Sequence, residues 1–401
     1  MKKDKTATDY KVISRLNKSI EPPDFKPTGA SSISGTYNEN VITISNRVIN
    51  PNSMMLKTGQ VQAVGGSPTN AWEMLSDEGI SKIQTAPNPL SYMIGGVASS
   101  LLTRIEQTAK MMALNLKETK VEAMMSFRYE DAMSANWRGY TDKLIANILI
   151  ESDEAVEKVA KLRKIAVEAW AIGKCIKDAT SVEAKFDFNS NIWDTESPSA
   201  GAVIGAESYE DGLKLSSNEN KLETKSIETG ADVKKNLSSH FEFNVVGIAE
   251  SANDKAHPHL HKIRIRSINE NYAAWDIYAD DSHEPEGKAK APSSKDYFSL
   301  GTTLCLMSQM TATQMFYKKQ GINISNYRAE HQFNFQIKEY KTLTAQGFVD
   351  GVTTRILIKS DASEQVMNDF ASQSLRMCFA GDAVANETPT QVVTYLNGQA
   401  V

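Results

Sequence analysis

Two cysteines in the C-terminal half of this chain, Cys305 and Cys378, are the residues best suited to do chemistry. A thiolate is a strong nucleophile and a reductant, and two thiols that meet can close a disulfide. Leu300, Leu304, Met307, Thr311 and Met315 recur at three- and four-residue steps. That spacing predicts a helix from about Ser294 to Gly321, with Cys305 beside its apolar face. Val366, Phe370, Ser374 and Cys378 share one face of a second predicted helix, whose start the pair Asp361 and Glu364 would cap. If the two helices cross, the sulfurs come within disulfide reach, which needs Cα atoms roughly 4.4–6.8 Å apart. Inert packing is the competing account of any single cysteine, because free cysteines are among the most buried residue types. Cys175 has no thiol partner within reach in the sequence and is read as structural.

The elements that must position this pair occur in two similar sets. In the first half, Val41–Ser45 alternates as a strand, Val61–Val64 and Ala71–Leu75 are weaker strand candidates, and the prolines at 87 and 89 lead into a helix near Ser91. Met93, Val97, Leu101 and Ile105 give that helix an apolar stripe, while Gly95, Gly96, Ala98, Ser99 and Ser100 keep one side small enough for another element to approach closely. Strands follow at Val121–Tyr129 and Leu144–Ile150. A helix opening at Ser152-Asp153 carries Val156, Val159, Leu162, Ala166 and Trp170, and Val182–Phe188 closes the set as a strand. In the second half Tyr327, Ala329, His331, Phe333, Phe335 and Ile337 alternate as a half-buried strand.

The sequence itself repeats. Ile148-Leu-Ile-Glu-Ser-Asp recurs as Ile356-Leu-Ile-Lys-Ser-Asp, an offset of 208 by subtraction, and the same offset pairs Leu116 with Ile324, Phe127 with Phe335 and Trp170 with Cys378. Tyr92 matches Tyr297 at an offset of 205, which pairs Ser100 with Cys305. An internal duplication is the expected organisation. Its parts are an N-terminal arm (1–35), one unit without the cysteine pair (36–190), a Ser/Asn/Lys-rich linker (191–237) and a second unit that holds the pair (238–401). Ser100 and Trp170 are then the degenerate equivalents of the two cysteines.

Composition narrows the function classes. A chain of 401 residues exceeds the roughly 250–300 that one hydrophobic core usually organises, so two units fit its length. A net charge of −5 with no long basic run argues against nucleic acid as a partner. No apolar run of about 18 residues predicts a membrane span, and the N-terminal lysines have no apolar region behind them. Three cysteines are too few for a disulfide scaffold. The expectation is a cytoplasmic protein. His257, His259 and His261 alternate in a way that would put three imidazoles on one face of a strand, but a surface loop leading into HKIRIRSI explains them as well, and no metal is expected.

At these residues the chain resembles the osmotically inducible protein C and organic hydroperoxide resistance (OsmC/Ohr) family. The likeness lies in an ordered set. A Pro-led entry reaches a long central helix with a cysteine about eleven residues on, then come a helix end and a strand, then a second helix with the second cysteine. Pro89 leads toward Ser100, Ser294 stands where Pro would lead toward Cys305, and TLCLMSQM is similar to a Cys-x-Met-Thr-Gln form found in some branches. The resemblance implies an α+β fold of two OsmC-like units, curved antiparallel sheets wrapped on central helices, fused as a pseudo-dimer. It implies Cys305 as the peroxide-attacking thiol and Cys378 as the resolving thiol, an organic hydroperoxide as substrate, an external dithiol as reductant and no cofactor. A homo-oligomer is compatible with it. Family members place a carboxylate after the leading Pro to position an Arg; Lys295 holds that place, Asp296 is adjacent as a supporting carboxylate, and Arg47, Arg264 and Arg266 are the candidate cations. The rival reading is a non-catalytic protein of this fold that binds a small apolar ligand.

Overall fold

The computed structural model describes residues 12–15, 41–49, 56–63, 71–78, 86–132, 134–189, 216–218, 241–255, 257–267, 274–281, 289–324 and 326–401. The chain runs β1 (Ile13–Arg15), β2 (Val41–Ile49), β3 (Leu56–Ala63), β4 (Trp72–Asp77), α1 (Pro89–Met111), β5 (Leu116–Glu130), β6 (Arg138–Ser152), α2 (Val156–Glu168), α3 (Ala171–Lys177) and β7 (Val182–Phe188). It continues β8 (Ser216–Asn218), β9 (Phe241–Ser251), β10 (Leu260–Ser267), β11 (Ala274–Asp280), α4 (Ser294–Lys319), β12 (Asn326–Lys338), β13 (Gln346–Lys359), α5 (Glu364–Met377), α6 (Phe379–Ala385), β14 (Thr390–Leu396) and β15 (Gln399–Ala400). Most of the expected arm and linker lies outside the described residues. Within them, β1 pairs with β4 and buries Val12 and Ile13, so part of the arm is packed, and β8 pairs with β11.

The described residues form a mixed α+β fold of six helices and two sheets, ordered β1-β4-β3-β2-β12-β13-β7 and β15-β14-β6-β5-β9-β10-β11-β8. Each sheet draws on both halves of the chain. The β2–β4 meander pairs through β2 with β12 of the later hairpin, and the β9–β11 meander pairs through β9 with β5 of the earlier one. A parallel strand follows each hairpin, β7 beside β13 and β14 beside β6. Along β5 Val121, Ala123, Met125 and Phe127 are buried, and so are Glu122 and Met124 between them, so this strand is covered on both faces rather than half-buried as its alternation implied; β12 is likewise buried without a break from Tyr327 to Phe335.

Helices α1 and α4 lie between the sheets, α1 against β5, β9 and β10, α4 against β2, β3 and β12, and the two pack on each other. Their contact is made through glycine. A Cβ on Gly96 would stand 2.4 Å from the Ser294 carbonyl oxygen, and one on Gly301 would stand 2.6 Å from the Met93 nitrogen. Beside the crossing, Tyr92 and Tyr297 stack with ring centroids 5.8 Å apart.

Three local expectations need correction. Each of the later helical segments is two helices rather than one, breaking before Trp170 and at Cys378, which leaves α-helical geometry at φ −78° and ψ 105°. Ser363, not Asp361, caps α5, accepting from the Val366 amide. The first of these segments starts at Val156, with Ala155 at its N-cap and no side-chain cap. Because Gly96 faces backbone that cannot rotate away, Gly96→Ala should lower unfolding free energy by about 1–3 kcal/mol, the usual range for overpacking. Urea denaturation checks this, and a loss under about 0.5 kcal/mol, within the scatter of surface substitutions, would contradict the close crossing.

Candidate thiol site

Cys305 lies on the central helix α4, whose start is fixed by a capping box: Ser293 Oγ accepts from the Asp296 amide at 3.1 Å and Asp296 Oδ2 accepts from the Ser293 amide at 2.8 Å. Cys378 sits at the α5–α6 corner, where its Sγ accepts from the Gly381 amide at 3.2 Å and so caps α6. The corner is held against β6. Gly139 has no side chain because a Cβ there would stand 2.4 Å from the Met377 carbonyl, and Thr141 bonds both sides of the turn, its amide to Asp382 Oδ2 and its hydroxyl to the Phe379 carbonyl.

These placements let the two thiols interact without bringing them to the disulfide distance expected from the sequence. Burial and a hydrogen bond with Cys305 push the Cys378 thiol well above its ordinary range. Each cysteine is 2% exposed. All three cysteines of the chain are free thiols, so the disulfide expected of the oxidised pair is not formed here.

Tyr129 of β5 stands beside both sulfurs. Desolvation, followed by the charges of Cys305 and Glu78, raises its pKa well above that of a free phenol, and its hydroxyl donates to Gln309 Oε1 at 2.7 Å. The phenol is therefore a proton donor at neutral pH. Trp137 and Phe379 enclose its ring at centroid distances of 5.2 and 4.2 Å. One turn of α4 beyond Cys305, Ser308 donates to Glu78, whose other partner is Lys57 at 3.3 Å. Lys57 is fully buried and Glu78 is 28% exposed. Sequence reasoning missed Tyr129, Gln309, Glu78 and Lys57 as site residues. A signal existed for Lys57, a charged residue two positions before Gly59 and four before Val61 on the same strand face.

Ser100 and Trp170, the residues that the expected repeat would match to the two cysteines, also meet. Trp170 Nε1 donates to Ser100 Oγ at 2.7 Å, and Ser100 donates to the Val97 carbonyl at 2.9 Å. Trp170 stands at the α2–α3 corner with Gly173 beneath its indole, and Gly347 gives that corner the same close backbone approach that Gly139 gives the other.

Asp296 is not brought to Cys305. It lies nine residues earlier on the same helix, about 13 Å along the axis at 1.5 Å per residue. Burial raises its pKa to about 6, against the bonds from Ser293, and its charged neighbours are Asp281 and Lys295. Of the candidate cations, Arg264 makes two bonds to Asp276, at 2.7 and 3.0 Å; Arg266 has a buried Nε without a partner; the Arg47 side chain lies outside the described residues. The three histidines do not converge on a metal, and no group of three His, Cys, Asp or Glu among the described residues could hold one. His261 is buried between Ser99 and Glu106, and His257 approaches Asp280 at 3.4 Å. Burial pushes the Cys175 thiol up to about 12 while Thr180 donates to it at 3.2 Å.

No family model matches the chain, and neither does any curated protein. Among solved structures it is similar to an OsmC-like hydroperoxide resistance protein from Jannaschia sp. CCS1, with a TM-score of 0.22 and 15% identity over 32% of this chain and 78% of that one. No helix among the described residues is long and apolar enough to cross a membrane.

The Asp296 shift gives a pH dependence. A folded-state pKa of about 6 against the ordinary 3.8 means that the folded state holds this proton more tightly, so its contribution to stability is full below about pH 3.8 and is lost as pH rises through about 6. Asp296→Asn should therefore gain stability relative to the parent between pH 4 and pH 7, by on the order of 2 kcal/mol. Urea titrations across that range check it; a difference that is flat or of opposite slope would refute the assignment.

Proposed function

We propose that the protein is a thiol-dependent peroxidase that reduces organic hydroperoxides at Cys305 and Cys378. The observation that carries this is the delivery of two free thiols by separate elements to one buried site, where Cys305 acts on the Cys378 thiol. The Cys305 thiolate attacks the O–O bond, becoming a sulfenic acid as the alkoxide leaves and takes a proton to give the alcohol. Cys378 then condenses with the sulfenic acid, releasing water and forming a disulfide, and an external dithiol returns both to thiols. Tyr129, held protonated beside both sulfurs, supplies a proton where the alkoxide departs. The Lys57–Glu78–Ser308 chain is the charged support linked to this helix face, in place of the expected arginine.

The same proposal takes the chain as two OsmC-like units, 36–190 and 238–401, fused as a pseudo-dimer. Three observations support it: the matching order of meander, hairpin and parallel strand in the two sheets, the glycine pairs 96/301 and 139/347 at the sequence offsets of the repeat, and the Ser100–Trp170 and Cys305–Cys378 contacts at equivalent places. In this reading the first unit is catalytically silent, because neither an indole nor an unactivated hydroxyl can do thiol chemistry. A reducing cytoplasm suits three free thiols.

Deep burial of both thiols favours a second reading, a non-catalytic protein of this fold that binds a small apolar ligand. The two separate by thiol accounting. One equivalent of cumene hydroperoxide should consume two thiols and yield a Cys305–Cys378 bridge with Cys175 still reduced. Cys378→Ser should stop at a sulfenic acid trapped by dimedone, and Cys305→Ser should not react. Three free thiols after peroxide treatment would leave the binding reading in place. Ser100→Ala should keep peroxide turnover within about twofold of the parent, since it removes only one neutral hydrogen-bond partner, a loss of ~1 kcal/mol in stability; a large fall in turnover of the folded variant would contradict a single active site.

A further inference from the structure

Building on the peroxidase reading of Cys305 and Cys378, we infer that the disulfide of the oxidised pair unlatches helix α6 and so opens the site to the external dithiol. Recycling otherwise meets a steric block. Each cysteine is only 2% exposed, whereas a dithiol reduces a bridge by bringing its own thiolate onto one of the two sulfurs. Some element around the pair has to move once the bridge has formed.

The surroundings of Cys378 identify that element. In the reduced protein the Cys378 sulfur accepts from the Gly381 amide at 3.2 Å and is the N-cap of α6, a helix of seven residues. The amides of a first helical turn have no acceptor within the helix, and a helix this short has little of its own to hold it once a cap is lost. Gly381 lets the sulfur in, since a Cβ there would stand 3.3 Å from both the Cβ and the Sγ of Cys378. The other partner of the same sulfur is Cys305.

A bridge cannot serve both partners. It needs the sulfurs about 2.05 Å apart, and the two free thiols do not stand at that distance. The Gly96 and Gly301 contacts hold α4 against α1, so the approach falls to Cys378. Its backbone is tied on both sides, the Cys378 amide to the Leu375 carbonyl at 3.1 Å and the Phe379 carbonyl to the Thr141 hydroxyl at 2.8 Å, which leaves rotation of the side chain away from Gly381. Bridge formation gives up two thiol protons and two electrons, the hydroperoxide takes them to become an alcohol and water, and the Gly381 amide loses its acceptor. Phe379, the first residue of α6, loosens with it. Its ring closes the thiol side of the core against Tyr129, Phe243 and Phe127, at centroid distances of 4.2, 5.2 and 5.7 Å.

Hydrogen exchange of the full chain, read by mass spectrometry, tests this. In the reduced protein Cys378→Ala, which removes the cap without any bridge, should speed exchange of the amides from Gly381 to Asn386 by about fivefold or more, as loss of a helix cap does. Cys378→Ser, whose hydroxyl can still cap, should exchange like the parent before and after cumene hydroperoxide. The bridged parent, formed with the hydroperoxide or with the thiol oxidant diamide, should match Cys378→Ala in α6 while α4 stays protected, and dithiothreitol should restore slow exchange. Parent-like exchange in Cys378→Ala, or a bridge formed without faster exchange in α6, would overturn the inference and leave the peroxidase reading standing. A bridge formed by diamide but not by the hydroperoxide, with α6 opened, would support the latch and remove the peroxidase reading. No bridge with either reagent would overturn both.

Discussion

The backbone contact of α1 and α4 is the constraint on which the rest of the molecule depends. Two helices can approach this closely only where neither presents a side chain, and Gly96 and Gly301 each occupy space in which a Cβ would meet the other helix at under 3 Å. The stacked Tyr92 and Tyr297 lock the crossing, each with its hydroxyl on a sheet carbonyl, Leu75 for one and Tyr278 for the other. Once the helices touch, each sheet can combine a meander from one half with a hairpin from the other and still cover a single core. Ser100 and Cys305 each stand four residues past the crossing glycine, so the crossing sets where any chemistry on these helices can occur.

The second constraint is the broken helix. An unbroken α5 would carry Cys378 along its own axis, but the turn at that residue swings the sulfur toward α4 and lets it cap α6. Gly139 makes room for the turn, and Thr141 pins it with two hydrogen bonds. The α2–α3 corner packs closely on Gly347 of β13, with Gly173 beneath an indole that is bonded to a hydroxyl.

Burial then governs the electrostatics of both ends. Around the thiols it keeps Tyr129 and Cys378 protonated, and the charged groups on that side include Lys57, Glu78 and Asp382. Around Trp170 it gathers Asp281, Lys295, Asp296 and Arg104, and desolvation draws Lys295 down to about 8. The two surroundings differ in which ionisable groups the core must hold.

The sequence by itself determined the helix that carries Cys305, the small-residue face of α1 and the existence of the strands around Val121 and Tyr327, although the structure buries both strands on two faces where alternation implied one. These follow from periodicity, which records the local geometry of the backbone. Only the tertiary structure decided that each sheet would mix both halves, because strand partnership depends on register between segments far apart in the chain. The helix break at Cys378 escaped a pattern reading, and the residue that leaves room for it, Gly139, lies more than two hundred residues earlier. For the same reason Tyr129, Glu78 and Lys57 could not be assigned to Cys305, nor Asp296 removed from it: a charge belongs to whichever site the fold carries it to, and that distance is not written in spacing along the chain.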